Sequence, residues 1–133
     1  MKIFADTNVL ISAFTARGLC ADLLEVILLD HQLITGEIVL DELNSVLLNK
    51  LNVPEKRVQN VLQFMRQHHV EPAPENPSKI KIRDEDDRWI LESALRANAD
   101  VLVTGDKDLL VISNKISQLK IISPRGFWEL LKK

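Results

Sequence analysis

Four carboxylates stand where an apolar strand ends or a helix begins: Asp6 in IFADTNVL, Glu42 in IVLDELNSVL, Asp87 in RDEDDRWILESAL and Asp106 in VLVTGDKDLL. Carboxylates repel one another, so gathering several at one point is costly unless something positive sits among them. Hard oxygen donors without clustered Cys or His suit Mg²⁺ or Mn²⁺ rather than zinc. Mg²⁺ keeps several waters and takes one or two carboxylates plus substrate phosphate oxygens. Such an ion acidifies a bound water and stabilises charge on a phosphoryl centre during in-line attack. The remaining carboxylates would orient waters or hold a second ion.

Each acid also has a plainer reading. In open parallel sheets the ligand crevice lies beyond the carboxyl ends of the strands. Asp6 follows IFA and Asp106 follows VLVTG, so both belong at that edge. Taken alone, Asp6 reads first as an N-cap, a role that Thr7 and Asn8 could also fill, and Asp106 as a turn residue after Gly105; it is their joint placement at strand ends that points to a site. Asp87 shares a helical face with Ile90, Leu91 and Ala94 and points to the apolar side, where an unpaired carboxylate is expensive. Its plainer role is a first-turn acid facing the helix dipole. Asp86 lies instead with Trp89 and Ser93, and Asp84 precedes the helix as its N-cap. Glu42 lies between Val39 and Val46 on the shoulder of an apolar stripe; a solvated flank explains it equally well. His31, His68 and His69 show no metal spacing and receive no role.

Short apolar runs alternating with amphipathic stretches must position these groups. KIFA (2–5), HQLIT (31–35), KIKI (79–82), VLVT (101–104) and KII (120–122) read as strands. Residues 9–29 read as helix broken near Gly18. Helical patterns follow at 37–49, 54–67 and 85–98, and Pro124 opens a closing helix over PRGFWELL. Strands separated by helices predict βαβ units and a parallel sheet covered on both faces. EPAPENPS (71–78) cannot continue a helix or a central strand. Neither half has enough strand for its own core, so the stretch reads as a surface loop within one domain, 1–133.

The 133 residues are 46% apolar and 27% charged, the composition of a globular domain burying roughly 65–70% of its unfolded surface. No run is long enough to span a membrane, and the N-terminus lacks a secretory signal. Cys20, the only cysteine, forms no intrachain disulfide, in keeping with a reducing cytoplasm. Net charge is −2; with the four acids set aside, −2 + 4 leaves +2. Charge therefore neither supports nor excludes RNA.

DTNVLISAF, the DEL helix, DEDDRWILESALRANADVLVTGDKDLL and KIISPRGFWELL together resemble the PIN-domain (PilT N-terminus) nucleases, nearest to the VapC-type ribonucleases of type II toxin–antitoxin pairs. The resemblance implies a three-layer α/β/α fold and a Mg²⁺- or Mn²⁺-dependent endoribonuclease leaving a 5′-phosphate and a 3′-hydroxyl. It places the family's acids on Asp6, Glu42, Asp87 and Asp106, with Asp6, Asp87 and Asp106 binding metal and Glu42 binding or orienting the nucleophile. Asn8 and Thr104 become supporting residues, Asp84 an outer contributor, and Asp108 a rival to Asp106. It also implies a small antitoxin partner, a homodimer built on helices within 37–67, and a cytoplasmic setting.

Other classes are open. The same family includes RNA-processing nucleases without a toxin role. A phosphomonoesterase of the haloacid-dehalogenase type also places DTN at a strand end, but needs a second acid two residues after its nucleophile. That position is Asn8, which cannot protonate a leaving group. A non-catalytic binding module is the third reading.

Overall fold

The computed structural model describes residues 1–132. Five strands form one all-parallel sheet: β1 (Lys2–Ala5), β2 (Gln32–Gly36), β3 (His69–Glu71), β4 (Val101–Val103) and β5 (Lys120–Ile122), in the order β3-β2-β1-β4-β5. Seven α-helices connect and follow them: α1 (Thr7–Thr15), α2 (Leu19–Asp30), α3 (Glu37–Ser45), α4 (Glu55–Met65), α5 (Glu85–Arg96), α6 (Lys107–Leu110) and α7 (Pro124–Leu131). A π-helical turn, Val46–Lys50, extends α3, and a short 3₁₀ turn spans Ser113–Lys115. The expected three-layer α/β/α architecture is the one found.

The chain runs outward from β1 to β2 and β3, then returns across the sheet to β4 and β5. Right-handed crossovers put the connections before and after that reversal on opposite faces. With both faces covered, the central strands bury consecutive apolar residues: Ile3, Phe4, Ala5, Leu33, Ile34 and Val101–Val103 are all buried. Leu10, Leu23 and Ile27 lie in the same core as Val39, Leu43 and Leu91. The reversal opens a crevice between the carboxyl ends of β1 and β4, and Asp6 and Thr104 stand there.

Most predicted elements match within a residue or two at their ends. The break near Gly18 separates α1 from α2 at φ +142°, a backbone conformation natural only to glycine. α5 stops at Arg96, and Asn98 is left-handed at φ 54°. One strand lies elsewhere than the sequence predicts. Residues 79–82 form no strand; they lead into the N-cap of α5 and have no sheet neighbour. The edge beside β2 is taken by His69–Glu71, which pairs Ile34 with His69. Three residues are too short a run to show alternation against the preceding helical pattern. The proline-rich stretch loops over the surface, and strands on either side of it enter the same sheet. No helix among the described residues is long and apolar enough to cross a membrane.

Candidate active site

Sheet register builds the centre of the crevice. Ala5 pairs with Val103, and the Asp6 amide donates to the Val103 carbonyl at 2.9 Å, so Asp6 and Thr104 emerge side by side. Thr104 donates its hydroxyl to Asp6 Oδ2 at 2.7 Å, and the Thr7 amide donates to Asp6 Oδ1 at 2.7 Å. The Thr104 hydroxyl in turn accepts from the Asp106 amide at 2.9 Å, which fixes the turn leading into α6. Asn8 bridges the same two loops: its Oδ1 accepts from the Gly105 amide at 3.2 Å, and its Nδ2 lies 3.5 Å from Asp6 Oδ2.

Both readings of these acids are realised at once. Asp6, Asp84 and Asp106 are the N-caps of α1, α5 and α6; Asp84 accepts from the Asp86 amide at 3.0 Å, Asp106 from the Asp108 amide at 2.9 Å. An N-cap carboxylate sits at the positive end of a helix dipole, and three helix starts point here together. Capping therefore positions the carboxyl groups without excluding a further role.

Asp84, Asp87 and Asp106 each bring a carboxylate oxygen within 4.8 Å of the other two. Asp87, only 6% exposed, faces inward as its helical phase predicts, while Asp86 is exposed. Its Oδ2 is buried without a hydrogen-bond partner. Burial pushes the Asp87 carboxyl up to about 8, aided by a hydrogen bond with Asp106 and by the charges of Asp106, Asp84 and Asp6. Asp6, 4% exposed, is raised to about 6, first by burial and then by Glu42 and Asp106, against the lowering hydrogen bonds from Thr104 and Thr7. Glu42 stands exposed on α3, close enough for its charge to act on Asp6.

The sequence-predicted residues thus gather at one end of the sheet, with one rearrangement of emphasis. Asp84, expected at the periphery, completes the tightest trio, while Asp6 lies beside it with both oxygens engaged. Asp108 serves through its backbone amide, and its carboxylate is outside the trio. In the sequence Asp84 is marked by its N-cap position and, through the resemblance, as an outer contributor; its approach to Asp106 depends on how α5 packs against α3 and β2. A divalent cation fits this donor set: three converging carboxylates, of which Asp87 keeps a buried oxygen without a hydrogen-bond partner and has a raised proton affinity that a cation would relieve.

A search of curated proteins returned no match. The chain is similar in fold to a solved structure of VapBC2 from Rickettsia felis bound to a DNA fragment from their promoter. That match has a TM-score of 0.66 at 19% identity, covering 92% of this chain and 98% of the other. It also matches the PIN domain endonuclease Utp24, with a TM-score of 0.49 at 21% identity, covering 92% of this chain and 84% of the other. The PIN domain family profile matches residues 2–108, spanning β1 through the turn that carries Asp106. The chain belongs to the PIN domain family.

Proposed function

We propose that this protein is a Mg²⁺- or Mn²⁺-dependent endoribonuclease that hydrolyses RNA phosphodiester bonds. The observation that carries the reading is the convergence of Asp84, Asp87 and Asp106 beside Asp6, with a buried carboxylate oxygen left unpartnered. Asp87 and Asp106, with Asp84 or Asp6, would hold the cation. When bound, it supplies an acidified water and charge stabilisation at the phosphorus. Asp6 is held rigid by Thr104 and Thr7, and Asn8 ties the β1 and β4 loops together, so the carboxylates meet substrate without reorganising. Glu42, exposed at the rim, would orient the attacking water. Asp108 keeps Asp106 in its capping position.

The phosphomonoesterase reading fares worse. Its nucleophile would be Asp6, whose two oxygens already accept hydrogen bonds, and Asn8 offers no proton. By resemblance to the VapC-type ribonucleases, we assign the protein the toxin role of a type II pair, cytoplasmic, homodimeric and opposed by a small antitoxin. A processing nuclease differs only in biological role: it would not arrest growth when expressed alone.

The test incubates purified protein and its Asp87→Asn variant with single-stranded RNA, in Mn²⁺ or in chelator. Cleavage in Mn²⁺ only, lost in the variant, is expected. Cleavage that survives both chelation and substitution would sink the assignment.

A further inference from the structure

Immediately before the acidic trio the chain carries KIKIR, residues 79–83, and its odd and even positions part company. Lys79, Lys81 and Arg83 are exposed, while Ile82 is buried and Ile80 half-buried. The apolar residues pin the segment down and turn its cations outward. Both ends are fixed. Ser78 accepts from Arg88 Nε at 2.8 Å through its carbonyl and donates its amide to the Arg88 carbonyl at 3.0 Å. At the other end Asp84 caps α5. Together with Arg88, these cations line an open depression of about 420 Å³, with Glu85 the single acid on its wall. Glu85 already pairs with Arg88 at 2.7 Å, whereas Lys79, Lys81 and Arg83 form no ion pair among the described residues.

We propose that Lys79, Lys81 and Arg83 form a phosphate track that binds the backbone of single-stranded RNA beside the scissile bond. The inference rests on the ribonuclease reading and adds where the substrate lies. Asp84 directly follows Arg83 and belongs to the acidic trio, so in this proposal a strand on the track runs on toward the carboxylates. Three unpaired cations on a chain of net charge −2 also supply what the acidic crevice lacks, attraction for a polyanion. No aromatic side chain lines the depression on which a base could stack, so the cations hold the backbone and the track is indifferent to sequence.

The experiment compares wild type with Lys79→Ala/Lys81→Ala/Arg83→Ala and the charge-preserving Lys79→Arg/Lys81→Arg. Binding of a fluorescent single-stranded oligoribonucleotide is followed by anisotropy over a salt series, all on an Asp87→Asn background. Losing three contacts lowers the slope of log K against log salt by about 2, at roughly 0.7 per phosphate on a single strand. Affinity is expected to fall about tenfold or more, alike for unrelated sequences, and to persist in the arginine variant. With Asp87 intact, the triple variant should raise KM for cleavage and leave kcat within about twofold. Unchanged affinity and salt slope would overturn the track while leaving the nuclease reading intact. Loss of binding by the triple variant would uphold it even if wild type cuts no RNA. Tighter binding of a poly-glutamate peptide than of RNA, abolished by the same substitutions, would assign the surface to an acidic protein and overturn the proposal.

Discussion

Asp87 and Asp6 bind protons above the ordinary carboxylate range, at about 8 and about 6, chiefly because they are buried. A carboxyl whose folded pKa is raised favours the fold most below its unfolded pKa, near 4, and that contribution is lost as pH rises through the folded value. In chelator, wild type should therefore lose thermal stability relative to Asp87→Asn between pH 5 and pH 8; parallel unfolding curves would contradict this. Cation binding needs the deprotonated groups, so affinity should rise over the same interval, with protons released on binding. Calorimetry in buffers of different ionisation enthalpy reads that release. Thr104 holds both the Asp6 carboxylate and the Asp106 amide. Thr104→Val should lower metal-dependent cleavage by about 10–100-fold, the range for groups that orient metal ligands, while circular dichroism stays unchanged.

At the scale of elements, α5 brings two of the three clustered carboxylates, one as its cap and one a turn later on its inner face. Leu91 sits four residues beyond Asp87 and is wholly buried. Leu91→Ala should cost about 2–5 kcal/mol in denaturant unfolding, the usual range for a truncated core leucine. Because the same helix carries Asp84 and Asp87, cleavage should fall by more than the loss of folded protein explains. Helical phase in the sequence already separated Asp87 from Asp86. It was less informative for Glu42, which lies on a boundary between apolar and exposed faces. The edge strand at 69–71 was hidden for a related reason: its residues have no pattern of their own, and β2 supplies the pairing that makes them a strand.

For the whole molecule, the acids are separated by up to a hundred residues of chain and joined only where β1, α5 and β4 meet. A cation shared among them should stabilise the entire fold. With Mn²⁺ at a hundredfold excess over its dissociation constant, the gain is about 2.7 kcal/mol, read as a rise in unfolding temperature that chelator reverses. A Tm indifferent to Mn²⁺ would argue against any cation within the trio. Asp87→Asn should blunt the shift.

The sequence by itself determined the alternation of strands and helices, the apolar faces and the caps, because these depend on local periodicity and on side chains bonding to nearby backbone. It also placed Asp6, Thr104 and Asp106 at strand ends and Asp87 on an inward face. Only the tertiary structure decided that Asp84 stands with Asp87 and Asp106 while Asp6 leans on Thr104. Those distances follow from strand register and from the angle at which α5 reaches the sheet, neither of which any short stretch of sequence encodes. The strand that the sequence predicts at 79–82 likewise has no sheet partner in the fold, and Lys79, Lys81 and Arg83 face solvent just ahead of Asp84.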